Sequence, residues 1–281
     1  MENRNREEIE SGRDAPYLSG SVWPRASYAT EYFNPPKVHP SLPNYLWLIA
    51  GDDYGKGLDD SDPSVGGDEL ATENHLPGLL ARAGWTWREY AEGIDGKHCP
   101  LASAGGYLCK HNPFVYFDGL TGGLNPDDGL CRAHNRPFSE LAADLAGGRV
   151  ANFNFITPDR CHDMHDCATR SGDDWLSQQL PPILASRPYR EAGAVFIVWD
   201  EGSDGSDGPL PFAVLSPFAK GGGYHDAVHY DHSSTLKTVE EIFGLSPLLG
   251  HAADPAVEDL SDLFQPFVIR GRGSLPARPG G

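Results

Sequence analysis

Apolar and polar positions divide the chain into short, separable elements. Ala192-Gly193-Ala194-Val195-Phe196-Ile197-Val198-Trp199 is apolar on both faces, the pattern of a buried strand in a parallel sheet. Pro211–Pro217 is a second short apolar run and also reads as a strand. Trp85–Tyr90 alternates in side-chain character, and Ala151–Asp159 holds apolar residues that run into a polar loop. Both fit strands. Helical spacing appears over residues 42–50, 74–84, 137–147 and 173–185, and again from Tyr230 to Phe243, closed by Gly244. Pro137 and Gly147 bracket their segment as a helix start and stop. Pro181 and Pro182 predict a break or kink late in the 173–185 helix. Residues 1–38 are polar and offer only a short helix at Glu7–Ser11. Strands alternating with helices predict one α/β domain over residues 1–265, its sheet mainly parallel and covered by helices on both faces. The Gly-, Arg- and Pro-rich stretch 266–281 is expected to be a disordered tail.

Composition narrows the function. The net charge is −18 over 281 residues, which argues against general nucleic-acid binding because that needs a basic footprint. An anionic substrate stays possible if a metal or a helix N-terminus supplies local positive charge. No apolar run approaches the length that spans a bilayer. Residues 51–73 contain six Asp and two Glu and read as a solvated acidic loop, since the spacing of a calcium loop is absent. Five cysteines are present. Cys161 and Cys167 flank His162-Asp163-Met164-His165-Asp166 and predict a small disulfide loop, with a metal cluster as the alternative. Cys99 with Cys109 is the second expected disulfide, leaving Cys131 unpaired. Disulfides imply an oxidising compartment, yet Met1–Glu10 is charged and lacks the apolar core of a secretory leader.

Candidate chemistry gathers where strands end. Ser41 precedes the Leu42–Ala50 run, with Pro43 suited to a first helical turn and Gly51 to a helix end. It therefore sits at a helix N-terminus, where free N–H groups and the macrodipole favour an anion. Ser41 is either a nucleophile toward phosphate or only an N-cap. Asp200-Glu201 directly follows the buried strand. Two adjacent carboxylates there repel each other unless a cation holds them. Oxygen ligands favour Mg²⁺, Ca²⁺ or Mn²⁺. His111, His165 and His232 each have a structural reading; beside Ser41 and a metal, His111 and His165 would hold a phosphoryl oxygen or protonate a leaving group. No GxSxG elbow, P-loop or GxGxxG occurs.

Six segments occur in order: Met1-Glu2-Asn3, His39-Pro40-Ser41-Leu42-Pro43-Asn44-Tyr45, Lys110-His111-Asn112-Pro113-Phe114, Ile156-Thr157-Pro158-Asp159 with Asp163-Met164-His165-Asp166, Trp199-Asp200-Glu201-Gly202, and Tyr230-Asp231-His232. Together they resemble the acid phosphatase/phospholipase C phosphoesterases of the alkaline phosphatase superfamily, the short acid phosphatases most of all. The resemblance implies an alkaline-phosphatase-like sheet and a metal-dependent phosphomonoesterase acting through a phosphoserine intermediate. Ser41 would be the nucleophile. Glu2, Asp200 and Glu201 would bind a divalent metal together with the Ser41 oxygen, and Asn3 would contact metal or a phosphoryl oxygen. His111 and His165 would bind substrate or serve the leaving group, and His232 would line the site. The substrate would be a phosphorylated small molecule or lipid headgroup, and a full-length form would be secreted or held in the cell envelope. The alternatives are a phospholipase C type phosphodiesterase and an inactive member that only binds. In that family the Met-Glu-Asn motif ends an apolar first strand near the middle of the sheet. Here the motif opens the chain, so the expectation is a sheet without that strand, with exposed edges and with Glu2 and Asn3 on a frayed terminus.

Overall fold

The computed structural model describes residues 1–55, 60–67, 69–266 and 268–269. The expected tail therefore lies almost wholly outside the described residues. The strands are β1 (Ser27–Phe33), β2 (Trp87–Ala91), β3 (Asn135–Pro137), β4 (Phe153–Thr157), β5 (Val195–Val198), β6 (Phe212–Leu215) and β7 (Tyr224–Asp231). The longer helices are α1 (Ser41–Ala50), α2 (Leu76–Arg82), α3 (Leu141–Gly147), α4 (Thr169–Ala185) and α5 (His232–Ile242).

The strands form a four-stranded sheet in the order β5-β6-β1-β7 and a three-stranded sheet in the order β3-β2-β4. In the smaller sheet β2 runs parallel to both neighbours. In the larger one β1 is parallel to β7 and antiparallel to β6. β5 pairs with β6 antiparallel, Val195 opposite Leu215 and Val198 opposite Phe212. Its apolar run suggested a parallel strand, but the link to β6 carries only the short 3₁₀ turn Ser203–Gly205. A parallel return would need a crossover, usually a helix. β1 and β7 were not legible in the pattern. β1 mixes Tyr, Thr and Phe with Glu and Ala, and β7 alternates exposed with half-buried positions as an edge strand does. α4 continues through Pro181 and Pro182 to Ala185, so the expected break is absent.

Two apolar clusters hold these layers. Tyr32, Trp175, Trp199, Phe212 and Tyr230 centre the cluster of the larger sheet. Leu42, Leu46 and Ile49 of α1 pack with Trp87, Phe114 and Leu236 in the other. The chain start lies between the sheets. The Met1 ammonium donates to Val198 O at 3.0 Å, Asp200 N–H to Met1 O at 3.0 Å, and Glu2 N–H to Asp163 O at 2.8 Å. Glu2 is fully buried. The expected fraying is therefore not seen, because backbone bonds on both sides pin Met1 and Glu2.

Cys161–Cys167 is a disulfide as expected. The second bridge is Cys99–Cys131, and the free thiol is the buried Cys109. This corrects the Cys99–Cys109 pairing. Cys131 lies on the short helix Gly129–His134 with its Cα 5.3 Å from that of Cys99, inside the disulfide range. The Cys109 thiol instead donates to Pro100 O at 3.2 Å. The acidic stretch also departs from a purely solvated loop. Leu70 bridges to Phe117, and Asp62 accepts from Ser103 N–H and Oγ–H.

Candidate active site

α1 fixes the position of Ser41. Leu42, Leu46 and Ile49 anchor the helix on its core, and Gly51 ends it at φ 69°. A side chain at Gly51 would place Cβ 2.9 Å from Leu249 O, so glycine meets both the left-handed backbone and the close approach. Pro40, not Ser41, occupies the N-cap position. The Ser41 hydroxyl is thus not used in capping. It donates to Glu2 Oε2 at 3.2 Å while only 1% exposed.

Around this pair the expected residues converge. Tyr45 Oη donates to Glu2 Oε1 at 2.5 Å. His111 Nε2 lies 3.3 Å from Glu2 Oε1 and Nδ1 lies 3.0 Å from Asp163 Oδ2. The His111 ring stacks on Tyr45. The Cys161–Cys167 loop brings in Asp163, His165 and Asp166. Within it His165 N–H donates to Asp163 Oδ1 at 2.7 Å. Met164 anchors the loop at φ 81° and is fully buried. Gly172 of α4 allows that approach, since a Cβ there would fall 2.6 Å from Met164 Cγ. His165 Nδ1 lies 2.6 Å from Asp166 Oδ1 and Nε2 lies 3.3 Å from Lys110 Nζ. An ammonium only donates, so Nε2 accepts from Lys110 and Nδ1–H points to Asp166.

Asp200 and Glu201 follow β5. Asn3 N–H donates to Asp200 Oδ1 at 3.2 Å. Glu201 Oε2 meets His39 Nδ1, and His39 Nε2 lies 2.8 Å from Asp207 Oδ1. Glu201 is therefore tied to His39. His232 stands beneath the turn rather than lining the site. It is fully buried; its Nε2–H donates to Asp200 O at 2.6 Å, and Nδ1 accepts from Tyr32 Oη at 3.0 Å. Burial lowers its pKa to about 4, which matches this neutral form.

Carboxylate crowding dominates the electrostatics. Burial pushes Glu2 well above the usual range, and Asp200 and Asp163 push it further. Burial raises Asp163 to about 6. Burial and then Asp200 raise Glu201 to about 7. His111 is held well below its ordinary value, first by burial and then by Lys110. Such a cluster suits a cation. Two buried oxygens here, Asn3 Oδ1 and Asp200 Oδ2, have no hydrogen-bond partner. Orphaned buried oxygens beside Glu2 fit a hard divalent ion. One ligand atom each from Glu2, His111 and His165 also lies within 4.8 Å of the others, a mixed nitrogen and oxygen set that suits a transition metal better. A second such grouping, Glu92, Asp159 and His162, is internally paired. Glu92 accepts from Trp175 Nε1 and Asp159 N–H, and Asp159 Oδ1 accepts from Cys161 and His162 N–H groups.

Residue-by-residue reading of the sequence missed His39, Tyr45, Asp60 and Lys110 as contributors. His39 and Tyr45 lie in the Ser41 segment and Lys110 adjoins His111, so proximity was the available signal. Asp60 had none beyond acidic composition.

The phosphoesterase family model matches residues 28–246. The phosphatidylinositol-3-phosphatase of Mycobacterium tuberculosis is 28% identical over 260 residues, 92% of this chain and 80% of that protein. The phosphate-repressible acid phosphatase of Penicillium chrysogenum is 31% identical over 229 residues, 75% of this chain and 51% of that protein. A probable acid phosphatase of Kluyveromyces lactis is 29% identical over 246 residues, 79% of this chain and 53% of that protein. The chain thus spans about half the length of these fungal relatives. A sulfatase of Bacteroides thetaiotaomicron, from a locus for glycosaminoglycan metabolism, aligns with a TM-score of 0.55 at 11% identity, over 93% of this chain and 70% of that one. That likeness shows the alkaline-phosphatase-like fold alone. Matched across most of its length, the chain belongs to the phosphoesterase family, whose members hydrolyse phosphoric esters.

Proposed function

We propose that this chain is a metal-dependent phosphomonoesterase that works through a phosphoserine on Ser41. The observation that carries the reading is the Ser41 hydroxyl itself. It is buried at the N-terminus of a ten-residue helix, free of capping duty, and bonded to Glu2. A serine so placed meets an incoming phosphoryl group on the positive side of the helix dipole.

Glu2, Asn3, Asp200 and Glu201 would hold a divalent ion with the Ser41 oxygen. Such an ion supplies Lewis-acid polarisation of the serine and phosphoryl oxygens. The protein's own groups do the rest. Glu2 Oε2 takes the Ser41 proton as Oγ attacks phosphorus in line. Tyr45 holds the Glu2 carboxylate in place. His165, oriented by Asp166 with Nε2 unprotonated, takes a proton from the incoming water and passes it to the leaving oxygen. The hydroxide so formed attacks the phosphoserine, and Glu2 returns its proton to the departing Ser41 oxygen. The two disulfides are consistent with work in an oxidising compartment. The relative named for phosphatidylinositol 3-phosphate supports a lipid headgroup monoester beside small phosphomonoesters as substrate.

The test compares p-nitrophenyl phosphate with bis-p-nitrophenyl phosphate, with and without EDTA. Chelator-sensitive hydrolysis of the monoester supports the reading. A preference for the diester favours the phospholipase C type reaction, and turnover of neither contradicts both.

A further inference from the structure

Lys110 is not needed by the chemistry above, yet it points at the nucleophile. It is the middle residue of the 3₁₀ turn Cys109–His111, just ahead of the turn Pro113–Tyr116, and its side chain is only 16% exposed. Its ammonium reaches three acceptors from three parts of the chain: Asp60 Oδ2 at 2.8 Å, His165 Nε2 at 3.3 Å and Ser41 Oγ at 3.5 Å. Neutralising a buried lysine needs one carboxylate; this lysine also reaches the nucleophile and the histidine assigned to the leaving group.

Asp60 supplies the second observation. Its Oδ1 accepts the Leu42 N–H at 2.9 Å, while Oδ2 accepts from Lys110. One carboxylate therefore spans a first-turn amide of α1 and the ammonium, on either side of Ser41. Asp60 does this from a left-handed φ of 50°, a conformation that asparagine and aspartate tolerate better than other side chains. A helix N-terminal amide and a lysine are the donors that bind phosphoryl oxygens. A carboxylate offers two anionic oxygens with a similar bite.

We propose that Lys110 is a catalytic residue that grips a phosphoryl oxygen at Ser41, and that the Asp60 carboxylate holds the place of that phosphoryl group until substrate displaces it. This deepens the phosphomonoesterase reading and, for its catalytic half, rests on it. Lys110 keeps its proton throughout. The bond from phosphorus to Ser41 Oγ forms, the bond to the leaving oxygen breaks, and the ammonium faces the charge on the transferring group. Asp60 acts as a competitor, an anion of the chain's own in the anion position.

The experiment titrates inorganic phosphate into the full chain by calorimetry and measures p-nitrophenyl phosphate turnover on the same samples. The variants are K110M, K110R, D60N and the double variant D60N/K110M, each checked for a cooperative melt. K110M should weaken phosphate binding by about tenfold or more and lower kcat/KM by a similar or larger factor, the scale of a lost charge-assisted hydrogen bond. K110R should retain part of both. D60N should bind phosphate more tightly than wild type and lower KM. The double variant, in which no unpaired charge is left behind, should still bind phosphate as poorly as K110M. Wild-type phosphate affinity in K110M, or no phosphate binding by wild type, overturns the assignment of Lys110. Weakened binding in D60N overturns the role of Asp60 as stand-in. Phosphate binding that depends on Lys110 without turnover of any ester leaves the anion grip standing and removes the phosphomonoesterase reading instead.

Discussion

The Ser41 hydroxyl donates to Glu2 Oε2 at 3.2 Å across 39 positions of sequence. Both groups are out of contact with water. A buried carboxylate among other carboxylates is costly without a cation. The carboxylate that prepares the serine therefore weakens the fold.

That cost gives the first prediction. Glu2→Gln removes a charge that burial, Asp200 and Asp163 all disfavour. In EDTA the variant should melt a few degrees higher than wild type, about 1 kcal/mol for a chain of this size. Its phosphatase activity should fall by at least about a hundredfold, the scale of general base catalysis. Calorimetry paired with a turnover assay reads both. A variant that melts lower and stays active would contradict the assignment.

Added Mg²⁺, Ca²⁺ or Mn²⁺ should raise the Tm of wild type. At a hundred times its Kd a ligand contributes about 2.7 kcal/mol. Asp200→Asn removes the charge of the carboxylate that carries the unpartnered Oδ2 and should abolish most of that rise. A rise of equal size in the variant would place the ion elsewhere.

The disulfides should separate stability from activity. Cys99–Cys131 closes a sequence span of 32 residues and Cys161–Cys167 one of 6. Loop closure favours the longer one, at roughly 4 kcal/mol. Cys99→Ala with Cys131→Ala should lower stability by up to that amount. Cys161→Ala with Cys167→Ala should cost less stability but more activity, because that loop carries Asp163 and His165. Urea melts and kcat measured on each double variant test the split.

Glu240 gives a pH dependence away from the site. One oxygen accepts Leu249 N–H at 2.9 Å and the other has no partner. Burial raises its pKa from 4.5 to about 8. The folded chain thus holds this proton more tightly than the unfolded chain. The stability it contributes is complete below about pH 4.5, declines as pH rises, and is lost above about pH 8. Glu240→Gln should flatten this part of the stability curve and be the more stable protein at pH 9. An unchanged slope between the two pH limits would reject the assignment.

Much of the fold was legible because apolar runs and helix stops are local. The Val195–Val198 strand, the α1 helix with Gly51 and the α3 helix ended by glycine all followed from pattern. β1 and β7 did not, because their burial comes from pairing with each other and with β6, which no local pattern encodes. The cysteine pairing was misread for a similar reason: Cys99 and Cys131 meet only through the fold. The site residues that converge on Ser41 were named from their segments. Asp60 was invisible, since an acidic residue in an acidic stretch carries no sign that its carboxylate turns inward to Leu42 and Lys110.

The most direct test of the central claim is to trap the covalent intermediate. The chain is mixed with p-nitrophenyl phosphate and a divalent ion, quenched in acid within the first turnovers, digested and read by mass spectrometry. Phosphate on the peptide containing Ser41, absent from Ser41→Ala, which also loses metal-dependent turnover, is the expected result. A Ser41→Ala variant that hydrolyses the substrate at the wild-type rate would contradict the account.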